Sequence, residues 1–301
     1  MNKILEKYYN ISLYHNHKIH RAWYQLDKDL FSKDKISNEG LWIKGALSFC
    51  IQTGNFCNFL CPFCLSDSGP DGISKSDWIE QALINLNDIT GPVRIIWAGG
   101  EPTLLTDLDR LLEISKSFGN INVVTTNGSV TISTPNVEWI DFSIYGTDQR
   151  SYEEMTGRNL FNKVWTNLEK VLNDGKRVSI NSILNLNSTI KVIRVIEKCY
   201  SIGVKRFKLH RPLPLGRNKQ QIPEVETQRA ISEIRNIVPD DLIVSYPLTT
   251  NYHEMLSAYW VINSPGIISN NLIKLSLNDQ KNIKKEIAKN LDNHYKIFLE
   301  F

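Results

Sequence analysis

From about residue 46 the chain alternates between two hydrophobic patterns. Short runs rich in β-branched residues predict strands: ALSFCIQT (46–53), VRIIWA (93–98), INVVTT (121–126), WIDFSIY (139–145), RVSINSIL (177–184) and VKRFKLH (204–210). Between them, apolar residues recur every three and four positions in SDWIEQALINLND, TDLDRLLEISKSF, LFNKVWTNLEKVLNDG and STIKVIRVIEKCYSIG, which predicts amphipathic helices. Parallel neighbouring strands need a crossover of about this length, so the alternation predicts consecutive βαβ units.

The strands are not apolar on both faces, as they would be in a sheet covered by helices on each side. Asp141, Ser143 and Tyr145 share one parity while Phe142 and Ile144 share the other; Ser179 and Asn181 oppose Val178 and Ile180, and Lys208 and His210 oppose Phe207 and Leu209. One apolar face under helices and one polar face toward a lumen predicts an α/β fold, a partial (β/α)6 TIM-like barrel. Cys50, Gln52, Asp141, Ser143, Tyr145, Ser179, Asn181, Lys208 and His210 are expected on the lumen side.

After Gly216 the rhythm weakens, through a helix near 224–237, a strand-like LIVSYPL (242–248), a hairpin of SAYWVI and IISNN around Asn263 to Gly266, and a basic helix near 279–295. The expected organisation is a lead segment (1–45), a barrel core (46–217) and a small C-terminal α+β extension (218–301) that covers the barrel.

Composition narrows the class. With 301 residues, 42% hydrophobic and 22% charged, the chain is neither disordered nor fibrous. It has no apolar run of the ~18 residues a membrane span needs, and no signal-peptide pattern near its start. A net charge of +3 gives no reason to expect nucleic acid or membrane as a partner. Three of the five cysteines, Cys57, Cys61 and Cys64, fall within eight residues, which suits a metal site in a reducing, cytoplasmic setting better than disulfides.

CNFLCPFC sets those thiols in C-x3-C-x2-C spacing directly after the first strand, where the loops of α/β barrels present functional groups. Three thiolates on one tight loop can hold three corners of a cuboidal [4Fe-4S] cluster and leave the fourth iron open. A structural zinc site or a ferredoxin cluster needs a fourth protein ligand, and Cys50, inside a predicted strand, is poorly placed to be one.

The spacing, with Phe63 before the last cysteine, resembles the signature of the radical S-adenosylmethionine (SAM) superfamily. GGEPTL (99–104), TTNG (125–128), SIYG (143–146) and PLGR (214–217) are similar to that family's motifs behind successive strands, so the resemblance spans about residues 46–217. It implies that Cys57, Cys61 and Cys64 bind a [4Fe-4S] cluster whose open iron takes the amino and carboxylate groups of SAM. It also implies that Gly99, Gly100, Glu101 and Pro102 meet the methionine ammonium, that Phe63 lies near the adenine, and that Asn127, Ser143 and Asn181 lie near the rest of the cofactor. Reductive cleavage would give methionine and a 5'-deoxyadenosyl radical that abstracts a substrate hydrogen, with the electron coming from a low-potential donor such as flavodoxin or ferredoxin. Cys50, Tyr145 and His210 are candidate hydrogen or proton donors to the substrate.

Three readings of function stay open: a radical enzyme acting on a peptide or amino-acid side chain, one acting on a small anionic metabolite or nucleotide, and a non-catalytic iron–sulfur redox protein. Cysteines for auxiliary clusters are not expected, since none lies after Cys199. Charge is distributed unevenly: residues 191–219 carry nine Lys or Arg against one Glu, and 66–109 carry eight acids against two bases. Lys208, Arg211 and Arg217 are expected to gather at the top of the sixth strand and face an anionic group of the substrate.

Overall fold

A computed structural model describes residues 48–184, 188–212, 214–219, 223–239, 241–245, 260–264, 267–269, 274–277, 279–283 and 285–286. The lead segment with His15, His17 and His20, the hairpin turn at Pro265 and Gly266, and most of the closing basic helix lie outside them.

Six strands run in the expected order, with helices between all consecutive pairs except β3 and β4: β1 (Ser48–Gln52), α1 (Ile79–Thr90), β2 (Arg94–Ala98), α2 (Leu108–Ser117), β3 (Ile121–Thr126), β4 (Trp139–Ser143), α3 (Gln149–Thr156), α4 (Phe161–Asn173), β5 (Val178–Ile183), α5 (Thr189–Ser201) and β6 (Arg206–His210). A further helix, α6 (Glu224–Arg235), leads to β7 (Ile243–Ser245), and the chain continues through β8 (Trp260–Ser264), β9 (Ile267–Ser269) and β10 (Lys274–Ser276). β1 to β7 are parallel to their neighbours, and the described strands form one sheet of order β10-β9-β8-β1-β2-β3-β4-β5-β6-β7. That sheet is not closed: the fold is a partial α/β barrel.

The two-faced strands explain the layering. On the outer face, Ile51, Ile95, Val124, Phe142, Ile180 and Phe207 are buried against Leu83, Leu111, Leu168 and Val195 of the covering helices. Each such side chain contributes about 1.5–3 kcal/mol by leaving water. The opposite parity carries Asp141, Ser179 and Lys208, brought side by side by the registers Asp141↔Ser179 and Asn181↔Lys208. Asp141 accepts hydrogen bonds from Ser179 and from the Lys208 ammonium (2.6 Å), and Trp139 Nε1 donates to Ser179 (3.0 Å).

Two features differ from the expectation. The helix α3 was not foreseen, because its eight residues are polar apart from Tyr152 and Met155 and give no apolar stripe. It is defined by its ends instead: a capping box between Asp148 and Ser151, and Gly157 in the left-handed region at φ 67°. The hairpin of β8 and β9 forms as expected, but β8 pairs in parallel with β1, so these strands extend the barrel's own sheet.

Candidate active site

The cysteines sit on the long loop after β1, which is folded back on itself. Cys57 N–H donates to the Gly69 carbonyl (3.0 Å), and Gly69 N–H to that of Asn55 (3.0 Å). The β2 loop is laid directly against it: Gly100 N–H reaches the Gly54 carbonyl and Glu101 N–H the Phe56 carbonyl, both at 2.8 Å. A Cβ at Gly100 would stand 1.9 Å from the Phe56 oxygen, and Gly99 has φ 118°, so only glycine fits either position. The close approach that the Gly-Gly pair permits is thus, in this structure, to the chain's own cysteine loop.

Glu101 is 2% exposed and turned inward. Its Oε1 accepts hydrogen bonds from Thr103 N–H (3.1 Å), Thr103 Oγ1 (2.6 Å) and Thr126 Oγ1 (2.7 Å), and its Oε2 one from Asn127 N–H (2.6 Å). Burial pushes its pKa up, and these donors oppose that shift. The carboxylate therefore ties the loop after β2 to the end of β3; Pro102 beside it is buried and opens a turn of 3-10 helix.

Asn127 follows β3 and reaches the cysteine loop. Its Nδ2 donates to Asn58 Oδ1 (2.8 Å) and lies 3.7 Å from Cys57 Sγ, while its Oδ1 accepts from Ser129 N–H (2.9 Å). The positive φ of this turn falls on Gly128 at 75°. Phe63 packs edge-on against Tyr145, with ring centroids 4.8 Å apart. Burial raises the pKa of the Tyr145 hydroxyl, the nearby cysteines add to the rise, and a hydrogen bond with Ser143 opposes it. Asn181 Oδ1 and His210 Nε2 lie 3.3 Å apart, and His210, the last residue of β6, is exposed. Cys50 is buried at 3% exposure beside Ile96 and Val261 in register. Phe63, Asn127 and Tyr145 are thus drawn around the thiols, whereas Asn181 and His210 form a separate pair on β5 and β6.

Two arginines also shape the loop: Arg158 carries no signal in the sequence, whereas Arg217 ends the PLGR motif. Arg158, after α3, donates from Nε to the Asn58 carbonyl (2.7 Å), and Leu60 N–H reaches the Thr156 carbonyl (2.9 Å). Arg217 donates to the carbonyls of Cys61 (2.6 Å) and Ser68 (2.7 Å). This corrects the expected basic patch: Arg217 is turned to the cysteine loop, and Lys208 is paired with Asp141.

The donor set fits an iron–sulfur cluster. All five described cysteines are free thiols, and Cys57, Cys61 and Cys64 are each partly buried. Backbone N–H groups point at two of the sulfurs, Phe59 at Cys57 (3.4 Å) and Ser68 at Cys64 (3.3 Å), as a bound thiolate requires. Burial and the two neighbouring thiols push Cys61 up to about 12, so binding would displace protons. No group of three or more His, Cys, Asp or Glu among the described residues converges as a single-ion site. A cuboidal cluster spreads its ligands over separate irons and does not need such convergence.

Residues 51–190 match the family model for the Radical SAM superfamily. A probable GTP 3',8-cyclase from Saccharolobus islandicus is 28% identical over 195 residues, covering 61% of this chain and 62% of that protein. The GTP 3',8-cyclase of Psychromonas ingrahamii is 29% identical over 140 residues, covering 42% and 41%. The chain thus spans under two thirds of the length of these curated relatives. Among solved structures, Streptococcus suis SuiB bound to precursor peptide SuiA shares the fold with a TM-score of 0.61 at 18% identity, covering 75% of this chain and 59% of that one. So does anSMEcpe with bound AdoMet and the Kp18Cys peptide, with a TM-score of 0.61 at 17% identity and 82% of each chain covered.

Proposed function

We propose that this chain, which matches the Radical SAM family model over residues 51–190, is a radical SAM enzyme that modifies a peptide or an amino-acid side chain by hydrogen abstraction. Cys57, Cys61 and Cys64 would hold a [4Fe-4S] cluster. Bound together, cluster and SAM supply one-electron cleavage of the sulfonium and hence the 5'-deoxyadenosyl radical. The observation that carries this reading is a set of three partly buried thiols on one loop, two of them facing backbone N–H donors.

The chain's own residues contribute position and exclusion of water. Gly99 and Gly100 set the depth of the cysteine loop, and Phe63 and Tyr145 form an aromatic wall beside the thiols that suits an adenine ring. Asn127, Ser143 and Asn181 line the approach from the lumen as hydrogen-bonding groups for the rest of the cofactor. Cys50, Tyr145 and His210 are the candidates to deliver a hydrogen atom or proton to the substrate. A low-potential flavodoxin or ferredoxin would supply the electron, and free thiols of this kind favour a cytoplasmic setting. Among the described residues no helix is long and apolar enough to cross a membrane.

The peptide reading is supported by neighbours of the same fold whose structures contain peptides. A second reading, a nucleotide or other small anionic substrate, is favoured by the curated relatives, which are described as GTP 3',8-cyclases. Protein reconstituted anaerobically with iron and sulfide and then reduced should convert SAM to 5'-deoxyadenosine, and Cys57→Ala, Cys61→Ala and Cys64→Ala should each abolish this. An intact cluster without any 5'-deoxyadenosine would leave only a redox protein. Transfer of deuterium into 5'-deoxyadenosine from a labelled peptide, against a labelled nucleotide, decides between the substrates.

A further inference from the structure

A cation is built into the wall of the cysteine loop. The turn after β6 lies on that loop so tightly that a Cβ at Gly216 (φ 60°) would stand 2.3 Å from the Cys64 carbonyl oxygen and 2.4 Å from that of Leu65. The next residue, Arg217, gives its backbone N–H to the Cys64 carbonyl (2.9 Å), Nη1 to the Cys61 carbonyl (2.6 Å) and Nη2 to the Ser68 carbonyl (2.7 Å). Its Nε faces the Asp67 carboxylate at 3.1 Å. Asp67 itself holds φ 49°, the left-handed region that a non-glycine residue occupies only when its surroundings impose it. Every guanidinium nitrogen is thus engaged by residues 61–68, the stretch that contains two of the three thiols. The planar, permanently charged fork of arginine suits this role, and lysine could reproduce only its charge.

We propose that Arg217 is a positioning residue for the cluster, fixing the second half of the cysteine loop and supplying a charge that eases the cluster's uptake of an electron. The proposal rests on the cluster reading above. Adding one electron makes the cluster more negative, and a fixed cation close by lowers the energy of that reduced state, whereas the Asp67 carboxylate raises it. Asp67 is 66% exposed and its influence is screened by water; Arg217, at 25%, is screened less.

The test compares the wild-type protein with Arg217→Met, Arg217→Lys and Asp67→Asn after anaerobic reconstitution. Cluster iron is challenged with a chelator, and the midpoint potential is titrated with dithionite as electron donor, followed by electron paramagnetic resonance. Arg217→Met should weaken iron retention ~10–100-fold, the usual effect of removing an outer partner of a metal ligand, and should move the midpoint to more negative potential. Asp67→Asn should move it to more positive potential. Arg217→Lys should keep the wild-type midpoint while retaining iron less well. A merely structural arginine would lower retention and leave both midpoints in place, and that result overturns the proposal, as does Arg217→Met behaving as wild type. Should Arg217→Met fail to fold, the opposite effects of Asp67→Asn on potential and Arg217→Lys on retention decide it. A wild-type protein that binds no cluster refutes the cluster reading instead.

Discussion

At Glu101 a motif residue is fully used by the fold. Both carboxylate oxygens are occupied by hydroxyl and backbone donors from Thr103, Thr126 and Asn127, and the residue is buried at 2% exposure. Glu101→Gln keeps the shape but turns an NH2 group toward groups that must themselves donate. Leaving such buried donors unsatisfied costs about 1–3 kcal/mol. A lowered thermal midpoint is expected, together with weaker SAM binding measured by calorimetry, since Asn127 loses its anchor. The lumen pair Asp141–Lys208 (2.6 Å) makes a second residue-level case. Burial draws the lysine pKa down while the facing carboxylate pulls it up. Removing one partner leaves the other charge buried and uncompensated, about 3–5 kcal/mol in comparable pairs. The double variant Asp141→Asn/Lys208→Met should therefore destabilise by less than the sum of the two single variants, a coupling read from a double-mutant cycle in denaturant.

The barrel's strands and most of its helices are legible in the sequence because each buries one face, and a buried face writes its period into the chain. The six expected core strands are all found, with edges off by at most two residues, as are four of the helices between them. Helix α3 is not legible in that way, since it buries little beyond Tyr152 and Thr156 and is held by its caps. Its stability should accordingly follow its N-cap. Hydrogen bonds from the Ser151 backbone and hydroxyl lower the Asp148 pKa from its ordinary 3.8. A carboxylate lowered in the fold contributes its full stabilisation above that ordinary value and loses it as the pH falls through and below it. Asp148→Ala should cost about 1 kcal/mol at neutral pH, the typical worth of a cap, and should converge with wild type in acid. Denaturant titrations from pH 7 downward check this, with Asp148→Asn retaining the cap and losing only the pH dependence. The site divides along the same line. Clustered cysteines, the Gly-Gly-Glu-Pro motif and PLGR show in one dimension, whereas Arg158 acts on a carbonyl 100 residues away and carries no local pattern, and the PLGR motif does not itself say that Arg217 reaches a carbonyl 156 residues away.

At the scale of the molecule, strand composition says that a hairpin forms near residue 260 but not where it docks. Period-two runs and a Pro-Gly turn are the same whether the hairpin stands apart or joins a sheet. In the structure β8 adds in parallel to β1, with Phe49 opposite Trp260 and Ile51 opposite Ile262. Trp260, Ile262 and Ile268 are each at most 1% exposed and belong to the same hydrophobic core as the helices of the barrel. β1 is also the strand that delivers the cysteine loop, so β8 supports the site from the side away from β2. Trp260→Ala should therefore destabilise the whole barrel, by about 3–5 kcal/mol for an aromatic removed from a packed core, in one cooperative transition seen both by circular dichroism and by loss of cluster absorbance. A chain ending at residue 217 would bare the hydrogen-bonding edge of β1 next to Phe49 and Ile51, and such an edge invites pairing with other chains. It should elute as soluble aggregate or fail to fold in size-exclusion chromatography. A monomeric truncated chain that binds iron as the full chain does would show that the later strands are an independent appendage.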